Sequence, residues 1–527
     1  MRIDGKKEGL RQSMAWLHTW SGLLLGWLLY AIFFTGTLSY FREEINDWMR
    51  PEVHRSVASP DGLPRLLDRM AQVAPSAASW TLELANRRHL AVWASWSQPG
   101  GGKRGRQQAE LDAGTGAVLT PRATAGGDFL YNFHFRLYGI PRSVGRWIVG
   151  MATMVMLVAL LSGVITHKRI FADFFTFRPR KGLRSWLDAH NAMAVLALPF
   201  HIVITFSGLL LLMSTVLPWG AQAVYGGEVQ RFRAELSRND DIPSPLPAPQ
   251  GGTADRRPAP LAPLAPLLAQ AGQAWPRGVG SITIERPGTS APLIVLRERQ
   301  GSRPTASESA SRGLVFDGIT GAPLGKIDVA SRGSIEVFYH VMRAVHLGQF
   351  ADPALRCLLF LSGLLGTLMA ATGLVLFVVK RHPDRLKRGR TPRGHRLVEI
   401  LNVAAIAGLS VSTAAYFWAN RLLPVTWPQR PEAEINVFFA MWALCLLHAA
   451  MRGHWRAWAG QLALAAVGFL LLPLLNWASG GTPIFQAIAQ GQWSLAGFDL
   501  AALLVGTLHA YAAWTVYRVN ARTAAAA

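Results

Sequence analysis

The chain has 527 residues, half of them hydrophobic and only 16% charged, and its mean hydropathy is positive. Soluble domains carry roughly 25% charge, so a soluble enzyme, a disordered chain and a disulfide scaffold are all excluded. The two cysteines, Cys357 and Cys445, lie in separate apolar runs with no CxxC or CxxCH, which excludes Cys-ligated zinc, iron–sulfur centres and covalently attached c-type haem.

A membrane span needs about 20 mostly apolar residues. Eight stretches qualify: 14–41, 146–167, 190–213, 354–379, 397–420, 434–451, 457–475 and 495–517. The first is too long for a signal peptide and lacks a small-x-small cleavage site, so it reads as a retained anchor. The formal charge is +22. With the N-terminus cytoplasmic, the segments on that side hold 22 of the 53 basic residues, densest in Lys168–Arg184 and Lys380–Arg396. The long outer loops are near balance, with 13 basic and 10 acidic residues in 42–145 and 14 and 12 in 214–352. The excess charge is thus an orientation signal, and no nucleic-acid partner is expected.

The expected organisation is 1–41, cytoplasmic N-terminus and first span; 42–145, a periplasmic module; 146–213, spans two and three with a basic loop; and 214–352, a second periplasmic module with a Pro-rich insertion at 243–266. Residues 353–382 are the fourth span, 383–396 a basic cytoplasmic loop and 397–527 a four-span extension. The first four spans are two copies of one unit. His18 and Thr35-Gly36 recur 172 residues later as His190 and Ser207-Gly208. Ser79-Trp-Thr-Leu-Glu recurs at Ser281, and Asp112-Ala-Gly-Thr115-Gly116 at Asp317-Gly-Ile-Thr320-Gly321. His134 and His346 each precede a proline and a span, and those spans carry Ser162-Gly163 and Thr372-Gly373. Each outer module reads as helix (63–74; 264–275), strands (80–84 and 89–97; 281–286 and 292–299), polar hairpin and D-x-x-T-G turn. The fold class is a polytopic α-helical membrane protein with a duplicated 2+2 bundle and two small α+β modules.

Histidines carry the chemistry. An ionisable group inside a span is costly and a functional candidate by default, and neutral imidazole is a common axial haem ligand. His18 with His190 at the inner level, and His134 with His346 at the outer, would clamp two b-type haems. His167 and His201 are further cofactor candidates; on a continuous helix His201 lies about 16 Å from His190 on the same face. His340 is a weaker candidate, and His448 and His509 a possible third pair. His395 and His454 are read as solvated in basic loops, while the Thr/Ser-Gly pairs are read first as close helix packing, the alternative being that they line a porphyrin face. Trp48, Trp80, Trp93, Trp96, Trp219 and Trp275 are divided between core, interface and binding surface. No Walker A, HExxH, GxSxG or DxDxDG sequence occurs, and no GxGxxG lies between a strand and a helix.

The Trp-Leu-His18-Thr-Trp-Ser-Gly start, the two D-x-x-T-G motifs, His167-Lys-Arg, Asp188-Ala-His190-Asn and His346-Leu-Gly resemble the PepSY-associated transmembrane family, which includes iron-regulated bacterial inner-membrane proteins and ferric-siderophore reductases. The resemblance covers about residues 10–382. It implies periplasmic PepSY modules, four spans around two b-type haems held by His18, His190, His134 and His346, and electron transfer to a periplasmic ferric siderophore. The donor would be a reductase partner or a membrane quinol. The proline-rich insertion and four extra spans depart from the pattern. Two other readings stay open: a non-redox binding or regulatory membrane protein, and an iron or siderophore permease. Carriers usually place charge at the midplane of broken spans, and spans one to four hold no deep acidic residue.

Overall fold

Length and apolarity dictate the helices, and proline and glycine dictate where they stop. The computed structural model describes residues 9–99, 105–167, 178–179, 181–228, 231, 260–299, 312–327, 334–387 and 389–525; the Pro-rich stretch 243–259 and most of the loop 168–180 lie outside them. Eight helices are long and apolar enough to cross a membrane. Helix α1 (Leu10–Ser39) leads into α2 (Arg42–Trp48). After α3 (Gly62–Val73) and four strands, α4 (Gly126–Arg136) delivers the chain to α5 (Arg142–Thr166).

The third span is not one continuous helix. It is α6 (Leu183–Leu196) and α7 (Leu198–Val216), parted at Ala197, whose φ of −110° and ψ of 19° leave the helical region. Pro199 has no N–H to give the ladder and its ring crowds the preceding turn. The expected common face of His190 and His201 persists across the break, the two rings lying against the fourth span at Gly373 and Gly366. Helices α8 (Trp219–Val224) and α9 (Leu264–Ala274) follow, then α10 (Ser334–Leu347). The fourth span, α11 (Pro353–Lys387), continues through Pro383 beyond its expected end.

Outside the bundle the two outer segments form a single antiparallel sheet, in the order β4-β3-β2-β1-β5-β6-β7-β8. The strands are β1 (Ser79–Glu83), β2 (Val92–Ser97), β3 (Arg106–Leu111), β4 (Val118–Leu119), β5 (Val279–Glu285), β6 (Leu293–Glu298), β7 (Gly313–Asp317) and β8 (Pro323–Ile327). The halves join along β1 and β5, where Trp80 faces Ile284 and Leu82 faces Ile282. Joining removes one exposed edge from each half, a liability that isolated meanders would have to manage. Leu66 and Met70 of α3, and Leu267 and Ala271 of α9, cover one face with Trp80, Ile282, Leu296 and Phe316. Trp80, Trp96 and Trp275 are core, whereas Trp93 and Trp219 are exposed. In both D-x-x-T-G turns the Asp Oδ1 accepts the N–H two and three residues on and the Thr hydroxyl. Gly116 and Gly321 complete them at φ of 71°, a conformation that glycine adopts without strain.

The extension comprises α12 (Arg393–Leu422), α13 (Arg430–Met451), α14 (His454–Leu470), α15 (Leu472–Ala478), α16 (Ile484–Ala489) and α17 (Trp493–Ala525). It packs against the first repeat and against α11, where Asn402 donates to the Leu374 carbonyl at 3.0 Å. Trp27 donates to Asn402 at 2.8 Å and Tyr30 to the Ile406 carbonyl at 3.3 Å. Trp48, fully buried, donates to Asp499 at 2.8 Å, stacks on Phe498 and carries the Arg421 guanidinium 4.3 Å above its ring.

His54 seals the same seam. Its Nε2–H donates to the Asp47 carbonyl at 2.9 Å, and its Nδ1 accepts the Thr482 N–H at 3.1 Å. Burial, aided by Arg421, lowers its pKa to about 3. The unfolded imidazole titrates near 6.5, so the unfolded chain binds the extra proton between those values. Stability is full above about pH 6.5 and falls with acid by at most about 1.4 kcal/mol per pH unit. Thermal unfolding in detergent will show this decline, and His54→Gln will flatten it while lowering stability at neutral pH.

Candidate functional site

Four of the six candidate histidines meet in two pairs. The rings of His18 (α1) and His190 (α6) have centres 6.3 Å apart with planes at 68°. Those of His134 (α4) and His346 (α10) are 6.1 Å apart at 36°. Among the described residues no three His, Cys, Asp or Glu converge as at a zinc or non-haem iron site. The imidazoles converge in twos.

Each ring is held by a neighbouring helix. His18 Nδ1–H donates to the Ala159 carbonyl of α5 at 2.9 Å, and His134 Nδ1–H to the Ile32 carbonyl of α1 at 2.8 Å. His190 Nδ1 lies 3.0 Å from the Met369 carbonyl and 3.1 Å from Thr372 Oγ1 on α11. His346 Nδ1–H donates to Ser207 Oγ of α7 at 2.9 Å, since that hydroxyl gives its own proton to the Val203 carbonyl. The protonated Nδ1 leaves Nε2 as the free base, the tautomer and outer-partner arrangement of metal-bound histidines.

The Thr/Ser-Gly pairs, expected to serve helix packing, are the seats of these rings. A β-carbon at Gly163 would lie 3.2 Å from His18 Cε1, at Gly373 3.2 Å from His190 Cε1, and at Gly208 3.1 Å from His346 Cε1. At Gly36 it would lie 2.6 Å from His134 Cε1. At Gly36 a β-carbon would collide with the ring, and at the other three it would crowd the imidazole edge. The recurrence of the four pairs at repeat-related positions was the signal in the sequence.

The spacing tests the fit to haem. Two metal–imidazole bonds of about 2 Å, with about 1.1 Å from each nitrogen to its ring centre, separate the centres by about 6.2 Å. The residues present fit the group. A cavity of about 530 Å³ opens at the His134–His346 pair, with Gly36, Gly208, Leu212 and Met156 among its walls and Arg142, Arg146 and Arg343 also lining it.

The other candidates stand apart. His167 ends α5, its N–H bonded to the Gly163 carbonyl at 3.1 Å. His201 is fully buried; neither ring nitrogen has a hydrogen bond of ordinary geometry, and Nε2 faces Gly366 beside the Phe33 ring. His340 is buried 3.8 Å from Glu336. His448 turns to Gln461, and His509 bonds its own helix at the Val505 carbonyl, so the two form no pair. His395, expected to be solvated, is buried against Glu399, because α12 begins at Arg393 and draws it into the helix interface.

A second, polar cleft of about 710 Å³ lies where the sheet meets the helices, lined by Trp93, Arg277, Arg297 and Arg299 opposite Glu43, Asp47, Arg88, His89 and Asp128. Burial would raise the Glu43 carboxyl, but its hydrogen bond to His89 and the nearby charges of His89, Arg88 and Arg42 hold it at about 2, and the same contact raises His89. Burial lifts Asp47 to about 6. Cleft and cavity occupy successive turns of α4, with Asp128 in one and Asn132 and His134 in the other. Asp128 and His134 are about 9 Å apart along that helix.

The family described as PepSY-associated TM region matches residues 15–380. An uncharacterized protein of Pseudomonas aeruginosa is 28% identical over 415 residues, which cover 75% of this chain and 96% of that protein. The seats give a direct check: Gly373→Leu will crowd His190 and lower the thermal stability of the purified protein more than Gly22→Leu, where a β-carbon meets nothing.

Proposed function

The chain belongs to the PepSY-associated TM family, and from that premise we propose that it is a transmembrane haem-b oxidoreductase. It passes electrons from the cytoplasmic side of a bacterial inner membrane to a ferric chelate, a siderophore or similar ligand, on the periplasmic side. The observation that carries the reading is the pairing of four imidazoles at haem-ligand spacing, each with Nδ1 tied to a neighbouring helix.

His18 with His190 and His134 with His346 would hold the two groups. Haem b, when bound, supplies one-electron transfer between the faces of the membrane. The residues do the rest. Carbonyls of Ala159, Met369 and Ile32 and the Ser207 hydroxyl fix the imidazole tautomer and raise its basicity. Arginines along the outer cavity suit the carboxylates of a porphyrin edge. The cleft beside α4, with Trp93 and both signs of charge, suits a polar chelate within about 9 Å of the outer pair. One electron converts Fe(III) to Fe(II), hard oxygen ligands hold the lower-charge ion less tightly, and the freed ligand oxygens take protons from water. The donor is a quinol or a reductase partner, since no nucleotide-binding sequence occurs in the chain.

A reduced-minus-oxidised absorption spectrum of protein purified from haem-replete cells tests the reading. Two b-type centres are expected. His18→Ala and His190→Ala will remove one, His134→Ala and His346→Ala the other, and His201→Ala neither. A colourless wild-type protein overturns the proposal in favour of a non-redox binding or regulatory role. Ser207→Ala, which removes only the partner of His346 Nδ1, will weaken retention of the outer group about 10- to 100-fold.

A further inference from the structure

Residues 393–525 lie beyond the part of the chain that matches the family, and where they make their buried polar contacts is informative. The segment that runs into α4 is gripped from the extension at successive points. Arg430 donates to the Ala123 carbonyl at 2.8 Å, Thr124 Oγ1 donates to Glu434 at 2.6 Å, and Tyr416 OH donates to the Gly126 carbonyl at 2.8 Å. Glu434, Arg430 and Tyr416 are each at most 1% exposed. One and two turns further along, Phe129 and Phe133 enter an aromatic cluster, with Phe438 centred 5.1 Å from Phe129 and 6.3 Å from Phe133. The next residue is His134. Its repeat counterpart is mounted differently: α10, which carries His346, packs mainly on α7.

We propose that the four-span extension is a rigid mount for the helix bearing one outer ligand, so that Tyr416 and Glu434, far from the iron, set the geometry and potential of the outer centre while the inner centre does not depend on these two residues. Tyr416 and Glu434 are positioning residues, acting through α4. This rests on the haem reading for its redox consequence, though not for the mechanical one. Backbone hydrogen bonds buried in a membrane bundle have no water to exchange with, so each side-chain anchor adds directly to the rigidity of the segment it holds.

The test uses the full-length protein in detergent with Tyr416→Phe and Glu434→Gln, and Asn402→Ala as a control that breaks the same interface at Trp27. Hydrogen exchange, which needs no haem, is read first. Exchange across 122–136 will rise about fivefold to tenfold in the two anchor variants, the size of one lost buried hydrogen bond, and exchange across 334–347 will not. Paramagnetic resonance and redox titration then follow the two centres separately. The outer signal will shift and broaden in both anchor variants, the inner will not, and the control will leave the outer signal alone. Unchanged exchange across 122–136 overturns the mount. Faster exchange with an unmoved outer signal, or an equal shift of both centres, overturns its role in positioning the ligand. A haem-free wild type would overturn the electron-transfer reading instead, while the exchange data would still decide the mount.

Discussion

Everything at the paired sites depends on one hydrogen bond repeated four times: an imidazole Nδ1–H given to an oxygen on a neighbouring helix. In an apolar bundle an unpaired ring nitrogen is expensive. Bonding Nδ1 outward satisfies one nitrogen, fixes the tautomer and leaves the second as the free base. His201 shows the contrast: it is as deeply buried, yet neither nitrogen is held in that way and no second imidazole faces it. Depth alone therefore does not mark a ligand position. What sets the paired histidines apart is the combination of an outer partner, a glycine seat and an opposing imidazole.

The duplicated half of the chain builds itself by the same repeated logic. His18 and His134 are seated on α5 and α1, and their counterparts His190 and His346 on α11 and α7. The sheet follows the same plan, its two four-stranded halves meeting along β1 and β5. The extension breaks the symmetry. It buries Trp48, His54 and the approach to α4, all in the first unit. The charged residues at this seam are partnered, Arg430 with Glu434 one turn along α13 and Arg421 of α12 with the Asn476 amide of α15, as burial in a low-dielectric setting demands.

Much of this was legible in advance, and the failures have physical causes. The spans were readable because a bilayer imposes a length. The helices and strands of the outer modules were readable because their periods and turn residues are local. The pairing of His18 with His190 and of His134 with His346 was readable only because duplication supplies a second copy at constant offset. The break at Ala197 was missed although Pro199 stood in the sequence, because apolarity runs straight through it. His395 was misjudged because a basic loop reads as solvated until a helix start places it against Glu399. The Thr/Ser-Gly pairs were noticed but assigned to backbone approach, since a glycine that admits another helix and one that admits an imidazole look the same in sequence.

The amino-acid sequence by itself determined the class of the protein, the number of its spans, its internal repeat and the residue types that carry its chemistry. These are set by composition, length and periodicity, which act along the chain. Only the tertiary structure decided which oxygen holds each Nδ1, that the two modules share one sheet, and that the extension clasps α4 and leaves α10 to α7. Those outcomes depend on contacts between residues as far apart in the chain as Gly126 and Tyr416 or Trp48 and Asp499. No local pattern encodes such a contact; shape and polar satisfaction in the packed bundle select it.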